Sequence, residues 1–120
     1  MASPPAEFAI HYIELGTPSV ASAKQFYGEA FGWEFQDWGP AYASFTRAGV
    51  DGGFNGDEPG MTGRPLVILY SGNLEGAARR VENAGGKIVK PIFAFPGGRR
   101  FHFTDPAGNE LAVWSDKVAD

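Results

Sequence analysis

The stretch FTDPAGNELAVWS, residues 103–115, contains the clearest local signals in the chain. Its Pro- and Gly-containing run at 105–109 predicts a turn, and we expect the Asp105 carboxylate to stabilise it by hydrogen bonds to the nearby backbone. The residues that follow predict a strand over 110–115. Alternate residues of a strand share one face, and here the shared face carries Glu110, Ala112 and Trp114.

This turn and strand are the last elements of a longer series, β-α-β-β-β, and the series occurs twice in the chain. The second occurrence is a strand at 65–71, a helix capped by Asn73, and strands at 87–95, 100–104 and 110–115. The first is a strand at 8–15, a helix between Ser19 and Gly32, and strands at 33–38, 41–47 and 53–55. Asp51-Gly52 predicts a hairpin turn between the last two of these.

The polar, Gly-rich run GDEPGMTG at 56–63 predicts a linker between the two repeats. We therefore expect a single domain over residues 1–120, with a first βαβββ unit at 8–56, a linker at 57–64 and a second unit at 65–115. A unit of roughly 50 residues is too small to bury both faces of a short sheet. Two such units together have enough residues for a core.

Composition excludes several functional classes. The chain has 120 residues, 10 basic and 14 acidic side chains and a net charge of −4. The pairs Arg79–Arg80 and Arg99–Arg100 stand apart from other cations, so the clustered positive charge that nucleic-acid binding needs is missing. No apolar run approaches the roughly 18 residues of a membrane span. The start of the chain does not resemble a signal peptide.

The aromatic and cysteine contents also bear on the kind of binding site and on the cellular compartment. The chain has 10 Phe, 4 Tyr and 3 Trp, a rich supply of aromatic rings for a core or a binding site. It has no Cys, which removes disulfides and thiolate chemistry and fits a reducing cytoplasm. We therefore expect a cytoplasmic protein.

Two motifs together resemble the vicinal oxygen chelate superfamily of glyoxalases, bleomycin-resistance proteins and extradiol dioxygenases. One is the strand containing His11 followed by the helix with AKQFYGEAFGWEF at 23–35, and the other is FTDPAGNELAVWS itself. The resemblance implies an α+β fold of two β-α-β-β-β units packed as a paired curved-sheet cleft, and it implies a homodimer. It does not define an activity, because this fold hosts several chemistries.

Metal-dependent members of that superfamily hold a divalent ion with four side chains, two from each unit. The resemblance aligns His11 with the first ligand. The remaining three ligand positions fall on Phe54, Leu66 and Ala112, none of which binds a metal. One imidazole is too few ligands, since catalytic sites normally use three. We therefore expect neither a cofactor nor the full family metal site.

Two alternatives stay open for an active site. Glu14 is predicted on the opposite strand face from His11, but Glu110 and His102 lie near the last strand. A rearranged metal site of His11, Glu110 and His102 is one alternative. The other is metal-free catalysis on a small carbonyl compound with His11, or Glu110, as acid or base. Arg99–Arg100 is either a clamp for an anionic substrate or a solvated hairpin tip.

Binding of a small organic molecule is the preferred interpretation. Small or apolar residues at the positions that align with metal ligands make the expected cleft larger and less hydrated. Aromatic rings suit a flat ligand that is neutral or cationic. The predicted ligand-binding residues are His11, Ile13, Phe54, Leu66, Ile68, Ala112, Trp114, Trp38 and Tyr42. A lyase, isomerase or other enzyme acting on a small carbonyl compound is the alternative function.

Overall fold

The computed structural model describes residues 5–57 and 62–117, and within them the β-α-β-β-β order occurs twice, as predicted. The first occurrence comprises β1 (Ile10–Gly16), α1 (Val20–Phe31), β2 (Glu34–Asp37), β3 (Tyr42–Thr46) and β4 (Asp51–Asn55). The second comprises β5 (Leu66–Tyr70), α2 (Leu74–Asn83), β6 (Lys87–Phe95), β7 (Gly98–Thr104) and β8 (Glu110–Ser115). The α+β class is thereby confirmed. Residues 1–4 and the central part of the expected linker, 58–61, lie outside the described residues.

The chain separates into two compact units, which we name after their helices. The α1 unit is Tyr12–Leu66. The α2 unit combines the described residues up to His11 with those from Val67 onward. The start of β1 thus belongs to the same unit as β8, near the other end of the chain.

Both helices begin at side-chain caps that the sequence predicted. The Ser19 hydroxyl accepts a hydrogen bond from the Ser22 N–H at 3.1 Å, and the Asn73 side chain accepts one from the Gly76 N–H at 3.0 Å. Each bond satisfies a backbone donor that the first turn leaves unpaired. At the end of α1, Gly32 adopts φ 75°, which a glycine reaches without strain.

The sheet of the α1 unit has the strand order β2-β3-β4-β1. Strands β4 and β1 are parallel, whereas the other neighbours are antiparallel. One face packs against α1 through a buried core of Val20, Ala43, Phe45 and Phe54. The opposite face carries no helix among the residues of this unit that the structure describes, and we call it the helix-free face.

The expected hairpin turn at Asp51-Gly52 is wrong, because both residues belong to β4. Positive φ angles occur earlier, at Arg47 (68°) and Gly49 (89°), so the chain reverses before Asp51. Gly52 is required for a different reason: a β-carbon there would collide with the Ile13 carbonyl oxygen and the Phe45 ring. The glycine therefore permits close approach of neighbouring strands and a core ring.

The sheet of the α2 unit has the strand order β5-β8-β7-β6. Its β5–β8 pair is parallel, and the β8–β7 and β7–β6 pairs are antiparallel. Leu74 and Ala77 of α2 pack with Phe101 of β7 and Val113 of β8 to form the core. Alternate residues of the same strands must therefore lie on the helix-free face.

Among the residues described, neither helix is long and apolar enough to cross a membrane.

Candidate functional site

The strand register defines which side chains share the helix-free face of the α2 unit. Directly paired residues of neighbouring strands point to the same side of a sheet. Three cross-strand rows follow from the pairing: Tyr70, Trp114 and Arg100; Ile68, Ala112 and His102; and Glu110 with Thr104. Aromatic, cationic and imidazole groups are thus collected on one surface.

An aromatic cluster, which we call the aromatic face, lies at one end of that surface and consists of His11, Tyr70, Phe95 and Trp114. The His11 and Trp114 rings stack with centroids 5.6 Å apart and planes inclined at 24°. Tyr70 meets Trp114 edge-on at 5.4 Å, and the Phe95 ring lies 6.5 Å from it. His11, Phe95 and Trp114 are half-buried, so part of their ring surface is open to a ligand.

Two hydrogen bonds fix the orientation of these rings. The indole N–H of Trp114 donates to His11 Nδ1 at 3.2 Å. The Tyr70 hydroxyl donates to the Asp116 carboxylate at 2.7 Å. This hydrogen bond, assisted by burial and the nearby charge, raises the pKa of Tyr70 to about 12, so its hydroxyl stays protonated at neutral pH.

A carboxylate–imidazole pair lies one row further along the sheet. His102 Nδ1 is 2.9 Å from Glu110 Oε2, and the His102 ring is buried whereas Glu110 is half-exposed. Burial lowers the pKa of His102, with help from the Arg100 and Lys90 charges, and outweighs the opposing effect of Glu110. The imidazole is therefore neutral at pH 7, with its proton on Nδ1 and donated to the carboxylate. Nε2 is buried and has no hydrogen-bond partner among the described residues.

The two neighbouring arginines have different surroundings. Arg99 donates to both oxygens of Glu75, at 2.6 and 3.4 Å, and so ties β7 to α2. Arg100 lies on the helix-free side, with its guanidinium 5.5 Å from the Phe93 ring centroid and 5.8 Å from that of Phe95. Arg100 is consequently the one of the two that lies beside the aromatic face.

The helix-free face of the α1 unit carries a separate polar network. The Tyr42 hydroxyl donates to Glu14 at 2.9 Å, Tyr12 and Tyr42 share a 2.7 Å hydrogen bond, and the Asn55 amide donates to Glu14 at 3.3 Å. Burial, reinforced by the Glu14 charge, raises the pKa of Tyr42 well above its usual range. Gly53 lies beneath the two tyrosine hydroxyls, and a side chain there would collide with both.

The predicted site residues divide between the two units. The α2 unit contains four of them. His11 and Trp114 are in contact, and Ile68 and Ala112 are paired in register. The other five lie in the α1 unit: Ile13, Trp38, Tyr42, Phe54 and Leu66.

Those five residues have varied surroundings. Phe54 is 1% exposed and packs among core rings beneath α1, so the structure gives it no open surface for a ligand. Leu66 is also buried. Ile13 pairs with Gly52, Tyr42 belongs to the polar network, and Trp38 is 65% exposed with its indole N–H donated to Ser44.

The three candidate ligands of a rearranged metal site do not come together. Within residues 5–57 and 62–117, no group of three His, Cys, Asp or Glu side chains could hold a metal ion. Glu110 is instead hydrogen-bonded to His102, and His11 accepts a hydrogen bond from Trp114. These donors therefore do not fit a three-ligand metal centre.

Sequence reasoning missed Tyr70 and Phe95, did not separate Arg100 from Arg99, and left the facing of His102 undetermined. Tyr70 and Arg100 are the cross-strand partners of Trp114. The register that makes them partners depends on strand pairing, which alternation within one strand does not reveal. The same argument applies to His102, whose facing follows from its pairing with Ala112.

Comparison with known proteins agrees with this fold. The profile of the Glyoxalase/Bleomycin resistance protein/Dioxygenase superfamily matches residues 9–113. A curated relative, the anthracycline biosynthesis protein DnrV of Streptomyces peucetius, is 28% identical over 130 aligned positions that cover 91% of this chain. The chain spans about half of that relative, 47% of its length.

Two solved structures share the fold. The Mn(II)-bound glyoxalase from Novosphingobium aromaticivorans superposes with a TM-score of 0.67 and 23% identity, covering 92% of this chain and 39% of the other. A glyoxalase/bleomycin resistance protein/dioxygenase superfamily member from Vibrio splendidus 12B01 gives a TM-score of 0.66 and 16% identity, covering 87% of this chain and 96% of the other.

The chain therefore belongs to the Glyoxalase/Bleomycin resistance protein/Dioxygenase superfamily, as its two sequence motifs predicted.

Proposed function

We propose that this protein binds a planar small organic molecule on the aromatic face of the α2 unit. The observation that carries the proposal is the stacked His11–Trp114 pair, in which both rings are half-buried and keep a partly exposed surface. Stacked rings bind flat ligands well because dispersion and quadrupole interactions add to the burial of apolar surface. Hydrogen bonds already hold the rings in place, so a ligand loses little binding free energy to the ordering of side chains.

The neighbouring charge and a relative both support a polycyclic aromatic ligand. Arg100 lies next to Phe95, where its guanidinium can stack on an extended π-system or meet an electron-rich substituent. The relative DnrV is named for the biosynthesis of anthracyclines, which are polycyclic aromatic compounds. Since the chain spans 47% of that protein, we carry over no activity from it and use its name only to choose the ligand class to test.

Ligand binding is best tested by calorimetric titration with a panel of two- to four-ring planar compounds. We expect at least one member to bind the wild-type protein. Trp114→Ala should weaken that binding about tenfold or more, the loss typical of a central aromatic anchor. Phe26→Ala is the control, because Phe26 is an exposed aromatic ring in the other unit and is not among the predicted ligand-binding residues. An unchanged affinity in Trp114→Ala, or a failure of the whole panel to bind, would contradict the proposal.

An enzyme acting on a small carbonyl compound is the second candidate. It is supported by the position of His11 at the aromatic face, where an imidazole can act as acid or base toward a bound substrate. Turnover of a glutathione hemithioacetal that disappears in His11→Phe would establish this activity over binding alone.

We also propose that the protein forms a homodimer, as many members of the superfamily do. Sedimentation velocity at several protein concentrations measures the mass directly. A single species near 12.9 kDa at every concentration would rule the dimer out.

A further inference from the structure

The Nε2 atom of His102 is a buried polar atom without a hydrogen-bond partner in the part of the chain that the structure describes. His102 is 1% exposed, and no described residue forms a hydrogen bond with Nε2. Buried polar atoms in folded proteins nearly always have a partner, so an exception calls for an explanation. A bound ligand that forms a hydrogen bond with this atom would provide such an explanation.

Glu110 determines what this atom can bind. Because the Glu110 carboxylate only accepts hydrogen bonds, the contact at 2.9 Å requires the imidazole proton on Nδ1. Burial of the ring favours the neutral imidazole, so Nε2 then presents a lone pair and no proton. Its partner must be a hydrogen-bond donor, since a ligand carbonyl would leave two acceptors facing each other.

The position of His102 relates it to the aromatic face. His102 pairs with Ala112, and Arg100 pairs with Trp114 two residues further along the same strands. Two residues of a strand span about 7 Å. This is close to the length of two or three fused rings, so a planar ligand that stacks on Trp114 is long enough to place a substituent at His102.

The side chains around His102 on the helix-free face are small or movable. Of its two register partners, Ala112 on β8 has a side chain of one carbon, and Lys90 on β6 is long and flexible. The ring that covers His102 is Phe93, with centroids 5.9 Å apart, and Phe93 itself is 37% exposed. Because Phe93 is exposed and lies outside the buried core, we expect its ring to rotate away from the imidazole when a ligand binds.

We infer that His102 Nε2 accepts a hydrogen bond from a hydroxyl group of the planar ligand, so that the ligand class is a polycyclic phenol or enol. Glu110 acts as a positioning residue, because it fixes the imidazole tautomer and orientation. The inference rests on the proposed function and narrows its ligand class.

A matched pair of probes tests the hydroxyl contact. The probes are 2-hydroxyanthraquinone and 2-methoxyanthraquinone, which have the same ring system and differ in the presence of the O–H donor. We expect the wild-type protein to bind the hydroxyl compound about five- to tenfold more tightly, the effect of one buried hydrogen bond. In His102→Phe, which keeps an aromatic ring but removes the acceptor, the ratio of the two affinities should fall to about one.

The outcomes separate this inference from the proposed function. Equal affinities for the two probes in the wild type, or a preference that persists in His102→Phe, would overturn the hydroxyl contact while leaving aromatic binding intact. Failure of both probes and of the whole panel to bind would overturn the proposed function and the inference with it. Circular dichroism establishes that the variant is folded, and His102→Leu replaces it if it is not.

Discussion

The indole N–H of Trp114 donates a hydrogen bond to Nδ1 of His11, a residue 103 positions earlier in the chain. The two rings also stack, so one contact combines a directional bond with an aromatic interaction. His11 lies at the start of β1, yet it belongs to the same compact unit as β8. The pair therefore joins the start of β1 to β8 and forms the centre of the aromatic face.

Substitution at His11 should separate the hydrogen bond from the stacking. His11→Phe keeps a ring against Trp114 but leaves the indole N–H without its acceptor, and we expect it to lower the free energy of unfolding by about 1 kcal/mol. His11→Ala removes the ring as well and should cost about 2 kcal/mol. Urea denaturation measures both. Equal losses in the two variants would show that stacking contributes nothing.

The sequence predicted the local features of this fold well. The caps at Ser19 and Asn73 and the bounds of β8 at Glu110–Ser115 all agree with the structure. Asp105 also accepts hydrogen bonds from the backbone N–H groups of Ala107 and Asn109, as expected for its turn. Each of these features depends on contacts within a few residues, which is why residue type alone identifies them.

Features that depend on distant strands were harder to predict. Phe54 was expected to line a binding site, and the structure places it in the core beneath α1. Asp51-Gly52 has the composition of a turn, but close strand packing explains its glycine. The His102–Glu110 pair depends on the β7–β8 register, which a single strand does not specify.

Two glycine substitutions should have opposite effects on stability. In Gly52→Ala the new β-carbon would collide with the Ile13 carbonyl oxygen, which cannot move freely, and we expect a loss of about 2 kcal/mol or more. Gly28→Ala is the control: its β-carbon would meet Phe35 at 3.4 Å, and alanine is the better helix former by about 1 kcal/mol. Thermal unfolding distinguishes the two. A Gly52→Ala variant as stable as the wild type would refute the close approach.

Glu7 should make stability depend on acid pH. Its carboxylate accepts hydrogen bonds from the Gly72 N–H at 2.7 Å and the Ser71 hydroxyl at 2.6 Å, and these bonds lower its pKa below the usual value of 4.5. Above pH 4.5, Glu7 therefore makes its full contribution to the free energy of unfolding. This contribution is lost as the pH falls through the lowered pKa.

Because Glu7 is exposed, we expect its contribution to be at most about 1 kcal/mol. Glu7→Gln should remove it, so the stability difference between wild type and variant should be largest at neutral pH and shrink toward pH 3. Denaturation midpoints at several pH values measure the difference. A difference that stays constant with pH would show that the Glu7 charge is not involved.

His102→Phe should leave the ligand-free protein as stable as the wild type or make it more stable. The substitution removes a buried acceptor that no described residue bonds, and it keeps an aromatic ring beside Phe93. Glu110 loses its hydrogen bond, but it is half-exposed and water can replace the imidazole. We expect the free energy of unfolding to stay unchanged or to rise by up to about 1 kcal/mol.

Phe101→Ala is the control, at a fully buried neighbour on the helix-covered face, and it should instead cost about 3 kcal/mol or more. A loss near that size in His102→Phe would mean that Nε2 contributes to folding, and the case for reserving this atom for a ligand would fail.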